Sequence, residues 1–142
     1  MVLADTGFWV ALLWRRDPWH VRARAAYERH NDDGLMTTWP VVTEACYLLG
    51  KFLGEEAKAA FLDRVADQGV LLHPLGDTDS RRIAALIRRY ADLPMDLADA
   101  SLVILAEHLG HGRILSTDMR DFGAYRWKNH APFHNLLMAE DV

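Results

Sequence analysis

Two short apolar runs that each end on an aspartate constrain this chain most. Val2-Leu3-Ala4 leads into Asp5, and Ile114-Leu115-Ser116-Thr117 leads into Asp118. If the runs are neighbouring parallel strands, both aspartates project from the same edge of the sheet, where open α/β folds place their ligands. Strand-like and helix-like segments alternate along the rest of the chain. That order predicts an α/β fold with a parallel sheet rather than a helical bundle.

The elements follow from periodicity and punctuation. Strands are expected at Val2 to Ala4, Leu35 to Thr37, Val70 to His73 and Arg113 to Thr117, with Phe133 to Met138 as a candidate edge strand. Helices are expected over Thr6 to Arg15, closed by Asp17-Pro18, and over Trp19 to His30, before the turn Asn31-Asp32-Asp33-Gly34. Further helices run from Pro40 to about Phe52, Glu55 to Asp67, Thr78 to Tyr90, and Asp96 to Leu109, the last closed by Gly110. The Asp96 to Leu109 segment is apolar almost all round after its first turn, so it is read as buried. Its two acidic residues then open a helix inside the protein or at the floor of a cleft.

At 142 residues the chain is read as one domain, 1–142, with enough length for one substantial core. No apolar run approaches the roughly 18 residues of a membrane span, and Asp5 interrupts the N-terminus too early for a signal sequence, so a cytoplasmic protein is expected. The single Cys46 excludes an internal disulfide and a cysteine zinc site. A net charge of −4 argues against a domain that holds nucleic acid by bulk positive field. It leaves room for a nucleic-acid enzyme, because a carboxylate cluster neutralised by metal carries much of the excess. Arg15, Arg16, Arg81, Arg82, Arg88, Arg89, Arg120, Arg126 and Lys128 remain as candidate phosphate contacts, and Trp9, Trp14, Trp39 and Trp127 as candidate stacking surfaces.

Each carboxylate has an ordinary use to weigh against a chemical one. Asp96 and Asp99 share a helix face with about 5 to 6 Å between Cβ atoms, and as N-cap and third helical residue they imitate a capping box. Asp5 suits an N-cap and Asp118 a loop. Glu44 falls on the side of the stripe Val41, Ala45, Leu48 and Phe52, where an ionised carboxylate is costly unless paired. Several such acids brought together would repel by about 4 kcal/mol per close pair at an effective dielectric near 20, so the cluster protonates or recruits a cation. All-oxygen ligands suit magnesium or manganese better than zinc. A histidine zinc site is the competing reading, but His108 and His111 lack a helical zinc-protease glutamate, and His130 and His134 span Pro132.

Val2-Leu3-Ala4-Asp5-Thr6, Thr43-Glu44-Ala45, Asp96-Leu97-Ala98-Asp99-Ala100-Ser101 and Leu115-Ser116-Thr117-Asp118-Met119-Arg120-Asp121-Phe122 resemble, in order and spacing, the PIN-domain nucleases, especially the VapC-type toxins of bacterial toxin-antitoxin pairs. The match covers nearly the whole chain. The resemblance implies a three-layer α/β/α fold with a central, mainly parallel sheet. It also implies a Mg2+- or Mn2+-dependent endoribonuclease acting on single-stranded or structured RNA, silenced by a cognate VapB-type antitoxin and habitually a homodimer. By position, Asp5, Glu44, Asp99 and Asp118 form the acidic quartet, with Asp5, Asp99 and Asp118 as metal ligands and Glu44 placing the attacking water or a second ion. Asp96 is a further catalytic candidate at a position that many relatives fill differently. Asp121 shapes the loop, and Thr6 and Thr117 hold water or orient a carboxylate. The alternative is a non-catalytic PIN-like module that binds RNA or protein.

Overall fold

The computed structural model describes residues 1–139. Strands β1 (Val2–Ala4), β2 (Leu35–Thr37), β3 (Leu71–Leu72), β4 (Arg113–Leu115) and β7 (His134–Asn135) form one sheet in the order β3-β2-β1-β4-β7. Every pairing in it is parallel, with Leu3 facing both Met36 and Ile114. The helices are α1 (Thr6–Leu13), α2 (His20–His30), α3 (Trp39–Leu53), α4 (Glu55–Ala66), α5 (Ser80–Arg89), α6 (Leu97–Leu109), α7 (Met119–Ala124) and α8 (Leu136–Ala139). A parallel sheet needs its crossovers to cover both faces, which gives the three-layer α/β/α arrangement that the family resemblance implied. Val2, Leu3, Ala4, Ile114 and Leu115 are fully buried accordingly. α3 packs on α1, α4 and α6, and α5 packs on α6.

The chain leaves β1 toward β2 on one side and returns through α5 and α6 to β4 on the other. The C-terminal ends of β1 and β4 are therefore the point where strand order reverses, the usual ligand crevice of such sheets. α6 is buried along Ala98 and from Ala100 to Ala106, as its all-round apolar sequence requires.

The boundaries differ from expectation in instructive places. α1 stops at Leu13 because Trp14 is extended, and its indole stacks on Phe52 at 4.6 Å. A 3-10 turn at Asp77–Asp79 takes the start of the expected Thr78 helix. The edge strand expected over Phe133 to Met138 is a correction: only His134–Asn135 pairs with the sheet, and Leu136 starts α8. α7 was not expected, nor was the antiparallel hairpin of β5 (Arg126–Trp127) and β6 (Ala131–Pro132). The hairpin turn uses Lys128 and Asn129 at φ 49° and 65°, without the glycine that would announce it. Tertiary contacts hold it instead: the Lys128 amide donates to Glu107 Oε2, and Arg82 bridges Glu107 and Asn129. Among the described residues no helix is long and apolar enough to cross a membrane.

Candidate active site

At the switch point lies a cavity of about 280 Å3 lined by Asp5, Glu44, Asp96, Asp99, Asp118 and Asp121, together with Thr6, Gly7 and Thr117. All five carboxylates singled out in the sequence are thus on one wall or another of the same space, and Asp121 joins them. None of the described residues lining it is basic.

Capping and site placement turn out to be one device. Asp5, Asp96 and Asp118 are the N-caps of α1, α6 and α7, and their Oδ1 atoms accept from the amides of Phe8, Asp99 and Asp121 at 3.0, 2.8 and 3.0 Å. A cap fixes the carboxylate in place and satisfies one oxygen; the second oxygen of Asp5 accepts from Ser116. Three helix N-termini therefore converge on the cavity, and their dipoles favour negative charge there. Gly7 allows the close approach: a Cβ at this position would lie 2.0 Å from Thr117 Oγ1. The first turn of α1 and the β4–α7 turn can meet only without it.

Glu44 reaches the cavity because α3 is rotated relative to the expected stripe. Val41, Val42, Ala45 and Leu49 face the core, whereas Phe52 is exposed and Leu48 lines the cavity beside Glu44. Glu44 is half-buried, and burial, with the charge of Asp96 behind it, raises its pKa.

Charge crowding is felt across the site. Burial pushes Asp5 up to about 6, opposed by hydrogen bonds from Ser116 and Phe8 and reinforced by Asp118 and Glu44. Burial, then Asp96, pushes Asp99 up to about 7, against the hydrogen bond from Tyr125. Asp118 is raised by burial and by Asp121, and Tyr125 is raised by burial and the Asp99 charge. Burial is the first cause of each carboxylate shift, and the neighbouring acids add to it. Among the described residues no three acidic, cysteine or histidine groups already converge as a finished coordination sphere. The donor chemistry is all oxygen and anionic, which fits a hard divalent cation such as Mg2+ or Mn2+.

Three residues of this centre were missed in the sequence. Ser116 Oγ donates to Asp5 Oδ2 at 2.5 Å and accepts the Asp118 amide at 2.9 Å. Tyr125 donates to Asp99 Oδ2 at 3.3 Å. Asn135 holds the backbone of Ser116. Ser116 offered one signal, a small polar residue in an apolar run two positions before Asp118; Tyr125 and Asn135 offered none, because their partners are remote in sequence.

Beside the cavity, and sharing Glu44, Asp96 and Ala98 with it, runs an apolar groove formed by Trp39, Pro40, Tyr47 and Leu97. Trp39, Tyr47 and Leu97 are 55%, 66% and 53% exposed, whereas Trp9 lies in the core. Of the candidate phosphate contacts, Arg82 is committed to Glu107 and Arg126 to the carbonyls of Gly123 and Tyr125. Arg120 stands at the cavity rim, 3.4 Å from Asp121 and 81% exposed.

No family model matches the chain. It is similar to Ribonuclease VapC26 of Mycobacterium tuberculosis, at 28% identity over 125 residues that span 88% of this chain and 92% of that protein. Its fold is that of the crystal structure of Mycobacterium tuberculosis VapC20, described as a sarcin-ricin loop cleaving toxin. The TM-score is 0.73 at 20% identity, covering 84% of this chain and 91% of the other. The likeness to VapC26 supports the family resemblance read from the motifs, and the likeness to VapC20 bears out the three-layer fold it implied.

Proposed function

We propose that this VapC-type PIN domain is a Mg2+- or Mn2+-dependent endoribonuclease, the toxin of a toxin-antitoxin pair. The observation that carries the reading is the single cavity in which Asp5, Glu44, Asp96, Asp99, Asp118 and Asp121 meet at the sheet's switch point. The similarity to a named ribonuclease supports the reaction class, and the likeness to a toxin that cleaves the sarcin-ricin loop supports a structured RNA as substrate.

Asp5, Asp99 and Asp118 are the residues to hold the ion, two of them on strand ends or caps and one on the first turn of α6. A bound divalent cation would acidify a water and neutralise charge on the phosphoryl oxygens. Glu44, on the α3 wall, would orient the attacking water or a second ion. Ser116 and Tyr125 hold Asp5 and Asp99 at fixed orientations. Trp39 and Tyr47 present faces beside the cavity on which an unpaired base can stack, and Arg120 at the rim offers charge to a phosphate.

The wider reading is a single nuclease domain over 1–142, working in the cytoplasm as a homodimer and silenced by a VapB-type antitoxin. A short upstream reading frame encoding a DNA-binding repressor with a basic tail would support it, since such a tail complements the acidic cavity. The decisive test incubates pure protein with end-labelled RNA bearing unpaired loops, in Mn2+, in Mg2+ and in chelator. Metal-dependent cleavage that disappears in Asp99→Asn supports the enzyme. RNA binding without cleavage under any metal refutes it in favour of a non-catalytic PIN-like module.

A further inference from the structure

We propose that Asn135 is a positioning residue of the acidic centre: it fixes Ser116, and through Ser116 both the Asp5 carboxylate and the turn that presents Asp118. This rests on the metal-dependent reading of the cavity. Asn135 is the last residue of β7, paired with Ile114 of β4, one step before the chain turns into α8. Its side chain continues the sheet where the backbone leaves it. Oδ1 accepts from the amides of Ser116 and Leu137 at 3.1 and 3.2 Å, and Nδ2 donates to the Ser116 carbonyl at 2.9 Å.

Both backbone groups of Ser116 are thus held by one amide, much as a neighbouring strand would hold them. Ser116 is fully buried, so losing that amide leaves an unmet donor and acceptor away from water. The hydroxyl of the same residue joins Asp5 to the Asp118 amide. Two hydrogen-bonded steps therefore connect the edge of the sheet to the Asp5 carboxylate, just past β1, and to the backbone amide of Asp118, the N-cap of α7. An amide is the group this geometry selects. Aspartate keeps the acceptor but sets a second oxygen against the Ser116 carbonyl, and leucine supplies neither bond. Outer partners of metal-holding side chains typically change metal affinity or activity by about 10- to 100-fold.

The test measures Mn2+ affinity from the EPR signal of free Mn2+, and kcat and KM on RNA, for the wild type, Asn135→Asp, Ser116→Ala and the double variant. Asn135→Asp should weaken Mn2+ binding by about 10-fold and lower kcat at limiting metal, with recovery at high Mn2+ and an unchanged KM for RNA. A residue that merely stabilised α8 would lower the melting temperature and leave Mn2+ affinity alone. Because the effect passes through Ser116, the double variant should bind Mn2+ no more weakly than Ser116→Ala. Native affinity in folded Asn135→Asp, or losses that multiply in the double variant, overturns the inference. If Asn135→Asp does not fold, Ser116→Ala decides: it keeps the backbone contacts of Asn135, and native affinity there removes the path to Asp5. A wild type that binds no Mn2+ refutes the metal reading and this inference with it, whereas a wild type that binds beside unaffected variants refutes this inference alone.

Discussion

Replacing Asp5 by asparagine separates the cost of its charge from its use. In the metal-free protein the side chain is buried and its pKa stands at about 6 against 3.8 when free, and at about 1.36 kcal/mol per unit the ionised form costs the folded chain roughly 3 kcal/mol. The folded state keeps this proton to higher pH than the unfolded state does. Between pH 3.8 and about 6 the unfolded chain binds fewer protons, so stability falls as pH rises through that window and the penalty is complete above it. Asp5→Asn lacks this term while keeping an oxygen for the Phe8 amide. Urea denaturation in chelator at a series of pH values should show the variant gaining on the wild type by up to about 3 kcal/mol between pH 4 and 6.5. Mn2+ at about 1,000 times its Kd should reverse the order, since it adds about 4.1 kcal/mol to the protein that binds it, more than the charge penalty. A stability gap that does not change with pH would refute the buried-charge argument, and equal Mn2+ stabilisation of both proteins would remove Asp5 from the cation site.

Tyr125→Phe removes the hydroxyl that restrains the Asp99 pKa, so Asp99 should hold its proton to higher pH; cleavage should fall more at pH 6 than at pH 8, and an unmoved acidic limb of the pH–rate profile counts against the contact. Gly7→Ala forces Thr117 away from α1; the chain should fold with a lowered melting temperature and lose most of its cleavage, and a native melting temperature with native rate would show that the approach is not needed. Glu107→Ala strips Arg82 and the Lys128 amide of their shared acceptor, and chemical denaturation should register a loss of about 1–3 kcal/mol with metal affinity intact.

The sequence by itself determined the local frame. Strand runs, caps and breakers set β1, β2, most of α2, α3, α4 and α6, because those signals act between residues a few positions apart. The order of Asp5, Glu44, Asp99 and Asp118 also pointed to one metal-type cavity, since Asp5, Asp99 and Asp118 sit at the ends of elements and Glu44 on an apolar helix stripe. Only the tertiary structure decided what faces what. The rotation of α3 that turns Glu44 to the cavity, the glycine-free hairpin held by Glu107, and the switch from β7 into α8 at Leu136 all depend on surfaces that local propensity does not describe. The same holds for the bond from Ser116 to Asp5, which spans 111 positions of chain. Such contacts form because packing brings remote residues together, and a single sequence records the residues without their meeting.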